Sequence, residues 1–173
     1  TNPAVREWWA GLFKELISEI GVKGVWNDMN EPAVMEVPNK TFPMDVRHDY
    51  DGNPCSHRKA HNIYGTQMAR ATYHGVKRFA YPKRPFVITR SAYSGAQRYS
   101  SSWTGDNVAT WEHLWIANIQ VQRMSISGMG FTGSDIGGFA EQPSGELYAR
   151  WIQLGVFHPF CRTHSSGDHG DQE

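Results

Sequence analysis

Two aspartates stand where this chain could do chemistry. Asp28 lies in Trp26-Asn27-Asp28-Met29-Asn30-Glu31-Pro32 and Asp106 in Trp103-Thr104-Gly105-Asp106-Asn107. Asp28 follows a short apolar run, and each aspartate leads into a polar turn and has a tryptophan two or three positions upstream. Two carboxyl groups on opposite sides of one bond are what glycosidic cleavage needs, and aromatic rings supply flat platforms for sugars. A single aspartate after an apolar run is equally well explained as a turn or helix cap. The elements around the pair therefore matter.

Those elements alternate. Asn2-Pro3 reads as an N-cap followed by proline at the first helical position. Trp8, Trp9, Leu12, Phe13, Leu16, Ile17 and Ile20 then recur at helical spacing, and Gly21 is a plausible stop. Residues 22–26 read as a short buried strand that delivers Asp28. Residues 32–56 form a long loop with several prolines, of a length that is usually functional or disordered. A second helix is expected from about His57 to about Ala80, with Ala60, Ile63, Tyr64, Gln67, Met68 and Ala71 on one face, ended by Pro82 and Pro85. Residues 86–89 are a strand with Arg90 at its end. Thr110 caps a third helix carrying Trp111, Leu114, Trp115, Asn118, Ile119 and Gln122 along one side. Residues 129–132 are expected to form a strand that delivers Asp135. A fourth helix begins near Ser144, with Leu147, Trp151 and Leu154 inward, and stops at His158-Pro159. Residues 160–162 read as a last short strand before His164.

Strands alternating with helices predict βαβ units and a parallel sheet. Polar residues gather at and after the strands: Asp28, Arg90, Asp106, Asp135, Arg162 and His164. In a (β/α)8 barrel, catalytic groups gather at that end of the strands. A doubly wound sheet would also put ligands there, but no Gly-rich phosphate-binding turn follows any strand. A barrel takes about 250 residues, so about four units and the start of a fifth amount to a partial (β/α)8 TIM barrel.

Composition excludes other classes. With 17 basic and 17 acidic residues, the 173-residue chain lacks the basic excess of a nucleic-acid binder. No apolar run suggests a membrane span, and nothing points to a membrane-surface role. Thr1-Asn2-Pro3 is no signal peptide and carries no initiator Met, which suggests a piece of something longer; compartment is unreadable. Cys55 and Cys161, far apart, are expected as free thiols. His57 and His61, at i, i+4, and the group His164, Asp168, His169 and Asp171 carry no recognised ligand motif; both are read as solvated clusters, with no metal and no cofactor expected. No Gly-x-Ser-x-Gly elbow supports a serine hydrolase.

The motifs, taken in order, resemble glycoside hydrolase family 31, the α-glucosidases. Trp26 to Pro32 resembles that family's nucleophile segment. Arg90-Ser91 through Gln97-Arg98-Tyr99 to Trp103-Thr104-Gly105-Asp106-Asn107 resembles its acid/base segment. Gly133-Ser134-Asp135-Ile136-Gly137-Gly138-Phe139, Arg150 to Gly155 and Pro159 to His164 are similar to later barrel segments. The resemblance covers nearly the whole chain and implies residues 1–173 as about strands four to eight of the catalytic barrel, with 32–56 as a long loop on the active-site side.

It further implies a retaining, exo-acting α-glucosidase. Asp28 would be the nucleophile that forms a covalent glycosyl-enzyme, and Asp106 the acid/base, ionised and protonated respectively at the start. A double displacement of this kind needs carboxyl groups about 5–5.5 Å apart. Arg90 would hold sugar hydroxyls and keep a carboxylate ionised. Trp26, Met29, Trp103 and Phe139 would wall the sugar, although core packing explains them nearly as well. Asp135 would bind a hydroxyl or, slightly favoured, pair with Arg162 to stiffen the rim. His164 would donate to a hydroxyl, and Glu31 would support Asp28. Asp28-Met29-Asn30-Glu31 favours glucosidase over α-xylosidase. The competing readings are a non-catalytic carbohydrate-binding relative, or an excised fragment with little activity whose open barrel edges invite self-association. The expected partner is an oligosaccharide or other α-glucoside.

Overall fold

A computed structural model describes residues 1–167. Two units emerge from its contacts, Thr1–Ser101 and Ser102–Glu173.

In the first, Asn2 Oδ1 accepts from the N–H groups of Ala4 and Val5, so α1 (Pro3–Gly11) starts as the cap dictates. A π-helical turn, Glu15–Glu19, continues it, and Gly21 at φ 86° closes it while Val22 N–H donates to the Leu16 carbonyl. The apolar stripe of this segment divides. Phe13 and Ile17 are buried, whereas Trp8, Leu12, Leu16 and Ile20 are exposed by 61, 51, 41 and 63%. Steps of four residues keep the second set on its own ridge beside the buried one. Strand β1 (Val25–Asn27) begins later than the apolar run suggested. Gly24 lies against Phe86, and only from Val25 does the chain enter the ladder, with Val25 N–H donating to the Phe86 carbonyl.

The segment expected as an unbroken loop holds a small antiparallel pair, β2 (Arg47–His48) and β3 (Cys55–Ser56). It is followed by α2 (His57–Ala80), the helix expected there. Strand β4 (Val87–Thr89) runs parallel to β1 with Val25 opposite Val87, Trp26 opposite Ile88 and Asn27 opposite Thr89. Phe13, Ile17, Val76 and Val87 form the core that α1 and α2 place over these strands.

His57 is not solvated, contrary to the sequence expectation: it is fully buried. Its Nδ1 lies 2.9 Å from His48 Nε2, and its Nε2 lies 3.0 Å from His61 Nδ1 and 3.2 Å from Thr41 Oγ1. Burial first, then the neighbouring imidazoles, holds its pKa below the ordinary histidine value. Neutral imidazoles that each donate once and accept once can satisfy such a chain. Among the described residues no group of three or more His, Cys, Asp or Glu is arranged to hold a metal ion. Asp168, His169 and Asp171 lie outside the described residues.

Strand β5 (Ser101–Ser102) stands at the boundary of the units. In the second unit Thr110 Oγ1 accepts from His113 N–H and starts α3 (Trp111–Ile126). Its inner face is Ala117 and Val121; Trp111 and Trp115, expected along one side of the helix, are 51 and 66% exposed. The strand expected at 129–132 is displaced to β6 (Asp135–Ile136). Gly130 interrupts the apolar run, and Thr132 and Gly133 accept backbone bonds from Phe160 and Thr104. Gly133 is the residue the approach demands, since a Cβ there would lie 1.8 Å from the Phe160 carbonyl oxygen. Ser144 caps α4 (Gly145–Gly155), which buries Leu147 and Trp151, and Trp151 Nε1 donates to Ser134 Oγ. Strand β7 (Arg162–Thr163), slightly later than expected, is parallel to β6, with Asp135 opposite Arg162 and Ile136 opposite Thr163. Cys55 and Cys161 are free thiols. Among the described residues no helix is long and apolar enough to cross a membrane.

Candidate active site

The β1–β4 register builds the first group of site residues. Asn27 and Thr89 are the last paired residues, so Asp28 and Arg90 leave the same edge of the sheet together, and Arg90 N–H donates to the Asn27 carbonyl. Arg90 Nε then lies 3.2 Å from Asp28 Oδ1 and 2.8 Å from Glu31 Oε1, while Nη2 donates to Glu31 Oε2 at 3.1 Å and meets Met29 Sδ. The guanidinium is thus clamped bidentately by Glu31 and faces Asp28, whose side chain is half exposed. Met29 N–H donates to Asp28 Oδ1 at 2.8 Å. Both contacts fall on one oxygen of the carboxylate.

The loop itself is shaped by Asn30. Buried to 1% exposure, it donates to Thr89 Oγ1 at 2.7 Å and accepts from Ser91 N–H at 2.9 Å. It ties the segment after β1 to the segment after β4. Met29 at φ 55° turns the chain so that Asp28 and Glu31 both reach Arg90. Gly65 of α2 closes the support: a Cβ there would stand 2.8 Å from the Asn30 carbonyl oxygen and 2.7 Å from that of Ser91. Asn30 was legible only as part of the motif, and Gly65 not at all. The available signal was an asparagine in a strand-to-loop turn, a residue suited to bonding nearby backbone.

Burial raises the Glu31 pKa, but the hydrogen bonds and charge of Arg90 outweigh it, so the carboxyl sits below its ordinary value of 4.5. A depressed carboxyl contributes stability above its unfolded pKa and loses it as pH falls through the folded one. Wild type is therefore expected to lose stability below about pH 4.5 more steeply than Glu31→Gln. Urea unfolding between pH 3.5 and 7 checks this; parallel curves for the two proteins would contradict it.

In the second unit Asp106 sits on a tight turn. Gly105 takes φ 85°, a conformation other residues rarely adopt. Thr104 N–H donates to the Gly133 carbonyl, and Thr104 Oγ1 donates to Asn107 Oδ1 at 2.7 Å. The Asn107 carbonyl accepts from Phe139 and Ala140 N–H. These bonds fix the residues on both sides of Asp106 and leave its carboxylate on the exposed crest. Trp103 is buried at 4% exposure, so most of its ring surface is already covered.

Asp135 is fully buried and its Oδ1 accepts from Arg162 Nη2, the rim pairing anticipated from sequence. Burial lowers the Arg162 pKa and Asp135 opposes that shift. Phe139 and His164 stack with ring centroids 5.3 Å apart, and Ser166 N–H donates to the Phe139 carbonyl. The first unit thus gathers Asp28, Met29, Glu31 and Arg90, with Trp26 on β1. The second places Asp106, Asp135 with Arg162, and Phe139 with His164.

The chain as a whole has similar counterparts among known proteins. The family model for the glycosyl hydrolases family 31 TIM-barrel domain matches residues 1–173. Alpha-glucosidase 2 of Bacillus thermoamyloliquefaciens is 48% identical over 166 residues, 95% of this chain and 21% of that protein. A crystal structure of the ER glucosidase II heterodimeric complex, of a catalytic subunit with the binding domain of a regulatory subunit, matches with TM-score 0.91 and 42% identity, over 99% of this chain and 19% of that one. The family 31 alpha-glucosidase of Bacteroides thetaiotaomicron matches with TM-score 0.85 and 40% identity, over 100% and 27%. The chain spans about a fifth of the length of the first two and about a quarter of the third.

Proposed function

The chain belongs to glycosyl hydrolase family 31, and on that premise we propose that the protein it forms part of is a retaining exo-α-glucosidase that removes terminal α-linked glucose. The observation that carries this reading is Asp28 at the C-terminal edge of β1, its Oδ1 held by Met29 N–H and faced by the clamped Arg90. A guanidinium and a backbone donor hold one carboxylate oxygen in place and leave the other to attack the anomeric carbon. Asp106 then protonates the departing oxygen and, in the second half-reaction, takes a proton from the attacking water. The names of the relatives, α-glucosidases, support the substrate class. The Arg162–Asp135 pair stiffens the loop bearing Phe139, and the Phe139–His164 stack offers an apolar face beside a hydrogen-bonding imidazole.

A fluorinated α-glucosyl trapping reagent, applied to the full-length enzyme and followed by peptide mass spectrometry, is expected to label Asp28. A label on another residue, or none in active enzyme, would overturn the nucleophile assignment.

A second reading concerns residues 1–173 alone. The exposed ridge of Trp8, Leu12, Leu16 and Ile20 is a contiguous apolar surface of the kind that pairs or aggregates. The isolated chain is expected to self-associate in sedimentation velocity and to hydrolyse aryl α-glucosides weakly if at all. A monodisperse monomer with brisk turnover would sink this expectation.

A further inference from the structure

Away from the sheet edge, α1 and α2 border an open cavity of about 450 Å³ lined by four cationic side chains, Arg6, Arg70, Lys77 and Arg78, and by one carboxylate, Glu7. Arg70, His74, Lys77 and Arg78 come from one stripe of α2, at spacings of four, three and one, and Arg6 and Glu7 come from α1. The two helices meet closely here. A Cβ on Gly75 would stand 2.5 Å from the Ala10 carbonyl oxygen, so the glycine fixes how near the basic stripe comes to Arg6.

The charges of this pocket do not cancel. Arg6 pairs with Asp51, and Arg78 pairs with Glu7 at 2.6 Å. Arg70 and Lys77 have no carboxylate partner among the described residues; they lie near the rings of Tyr99 and Tyr73 instead. Arg70 Nε is buried without a hydrogen-bond partner, which is costly for a charged donor. The whole chain is neutral, so this concentration is local. His74 senses it. Burial first, and then the charges of Arg70, Lys77 and Arg78, hold its imidazole below the ordinary histidine value, against a smaller opposing pull from Glu7. The rings of Tyr73 and Tyr99 complete its surroundings.

We propose that this pocket binds a phosphate-class oxyanion, inorganic phosphate or a phosphate monoester, through Arg70 and Lys77. Two uncompensated cations match a group that carries about two negative charges near neutral pH. The guanidinium fork suits two phosphate oxygens, and the ammonium supplies a point charge to a third. The site lies outside the set of residues assigned to glycoside cleavage and does not depend on that assignment.

The test is titration calorimetry of the full-length protein with sodium phosphate, and separately with methyl phosphate, at constant ionic strength. One saturable site is expected, at least tenfold weaker in Arg70→Gln/Lys77→Gln and unchanged in Arg123→Gln, a charge change on the exposed face of α3. The tighter of the two anions identifies the source. Lys77→Gln alone, at an exposed position, serves if the double variant does not fold. A second readout is the His74 imidazole, followed by proton NMR. Its pKa is expected to rise when phosphate binds to wild type, because the anion favours the imidazolium, and to stay fixed in the variant. No saturation, equal competition by chloride, or unaltered affinity in the variants would overturn the proposal.

Discussion

Asp28→Gly in the full-length enzyme is expected to lower kcat/KM by about five orders of magnitude, or about 7 kcal/mol of transition-state stabilisation. The variant should still fold. Arg90 keeps its bidentate partner Glu31 when Asp28 is gone, so no guanidinium is left without a counter-charge. Met29 N–H loses its acceptor at a half-exposed position where water can replace it. The loss should therefore appear in chemistry with little change in the urea midpoint. Azide provides the discriminating measurement. A small anion can enter the space the carboxylate vacates and attack from the same face, in one displacement. The product would be a β-glucosyl azide, of inverted configuration. Rescue with that stereochemistry assigns Asp28 to the nucleophile's position. A variant that keeps more than about 1% of wild-type activity would refute the role.

How much of this arrangement could be read from residues alone depends on range. Asn2, Gly21, Thr110 and Ser144 act on their own neighbours, and the helix ends they mark are found where expected. The strands are harder. At two or three residues each, their limits are set by which backbone groups a neighbour offers, not by apolar character. Met129–Thr132 is apolar enough to be a strand, yet the ladder begins at Asp135, where Arg162 stands opposite. Helix faces fail for a related reason. Trp115 and Leu12 are apolar but exposed in this chain, while Ala117 and Ala10 are buried because small side chains allow close approach. The candidate site divides along the same line. Asp28, Arg90 and Asp106 stand out in the sequence through the motifs that resemble the family's, since a polar residue after a strand is otherwise read as a turn or cap. The roles of Asn30, Thr89 and Gly65 do not stand out in this way, because their work is to join segments far apart in sequence. His57 was misjudged as solvated since its partner His48 lies in a segment that reads as loop.

Asp106→Ala should separate substrates by their leaving groups. Asp106 lies on an exposed turn whose flanks are secured by Gly105, Thr104 and Asn107, so the turn itself should survive truncation of the side chain. An α-glucoside with an unactivated leaving group needs a proton as the bond breaks, and its kcat/KM is expected to fall by about 10³ to 10⁴. An aryl α-glucoside with a strongly acidic phenol needs no such help. For it, kcat/KM should stay within about tenfold of wild type. The second half-reaction suffers instead, because water must attack without a base. Glycosyl-enzyme then accumulates, kcat falls and KM falls with it. Azide, a nucleophile that needs no deprotonation, should relieve this block and yield the α-glucosyl azide, of retained configuration. That outcome is opposite in stereochemistry to the azide product expected of Asp28→Gly. The pair of products therefore assigns two carboxylates to two faces of one sugar. Equal losses on both classes of leaving group, with no azide product, would make Asp106 a structural residue and leave the acid/base to be sought elsewhere.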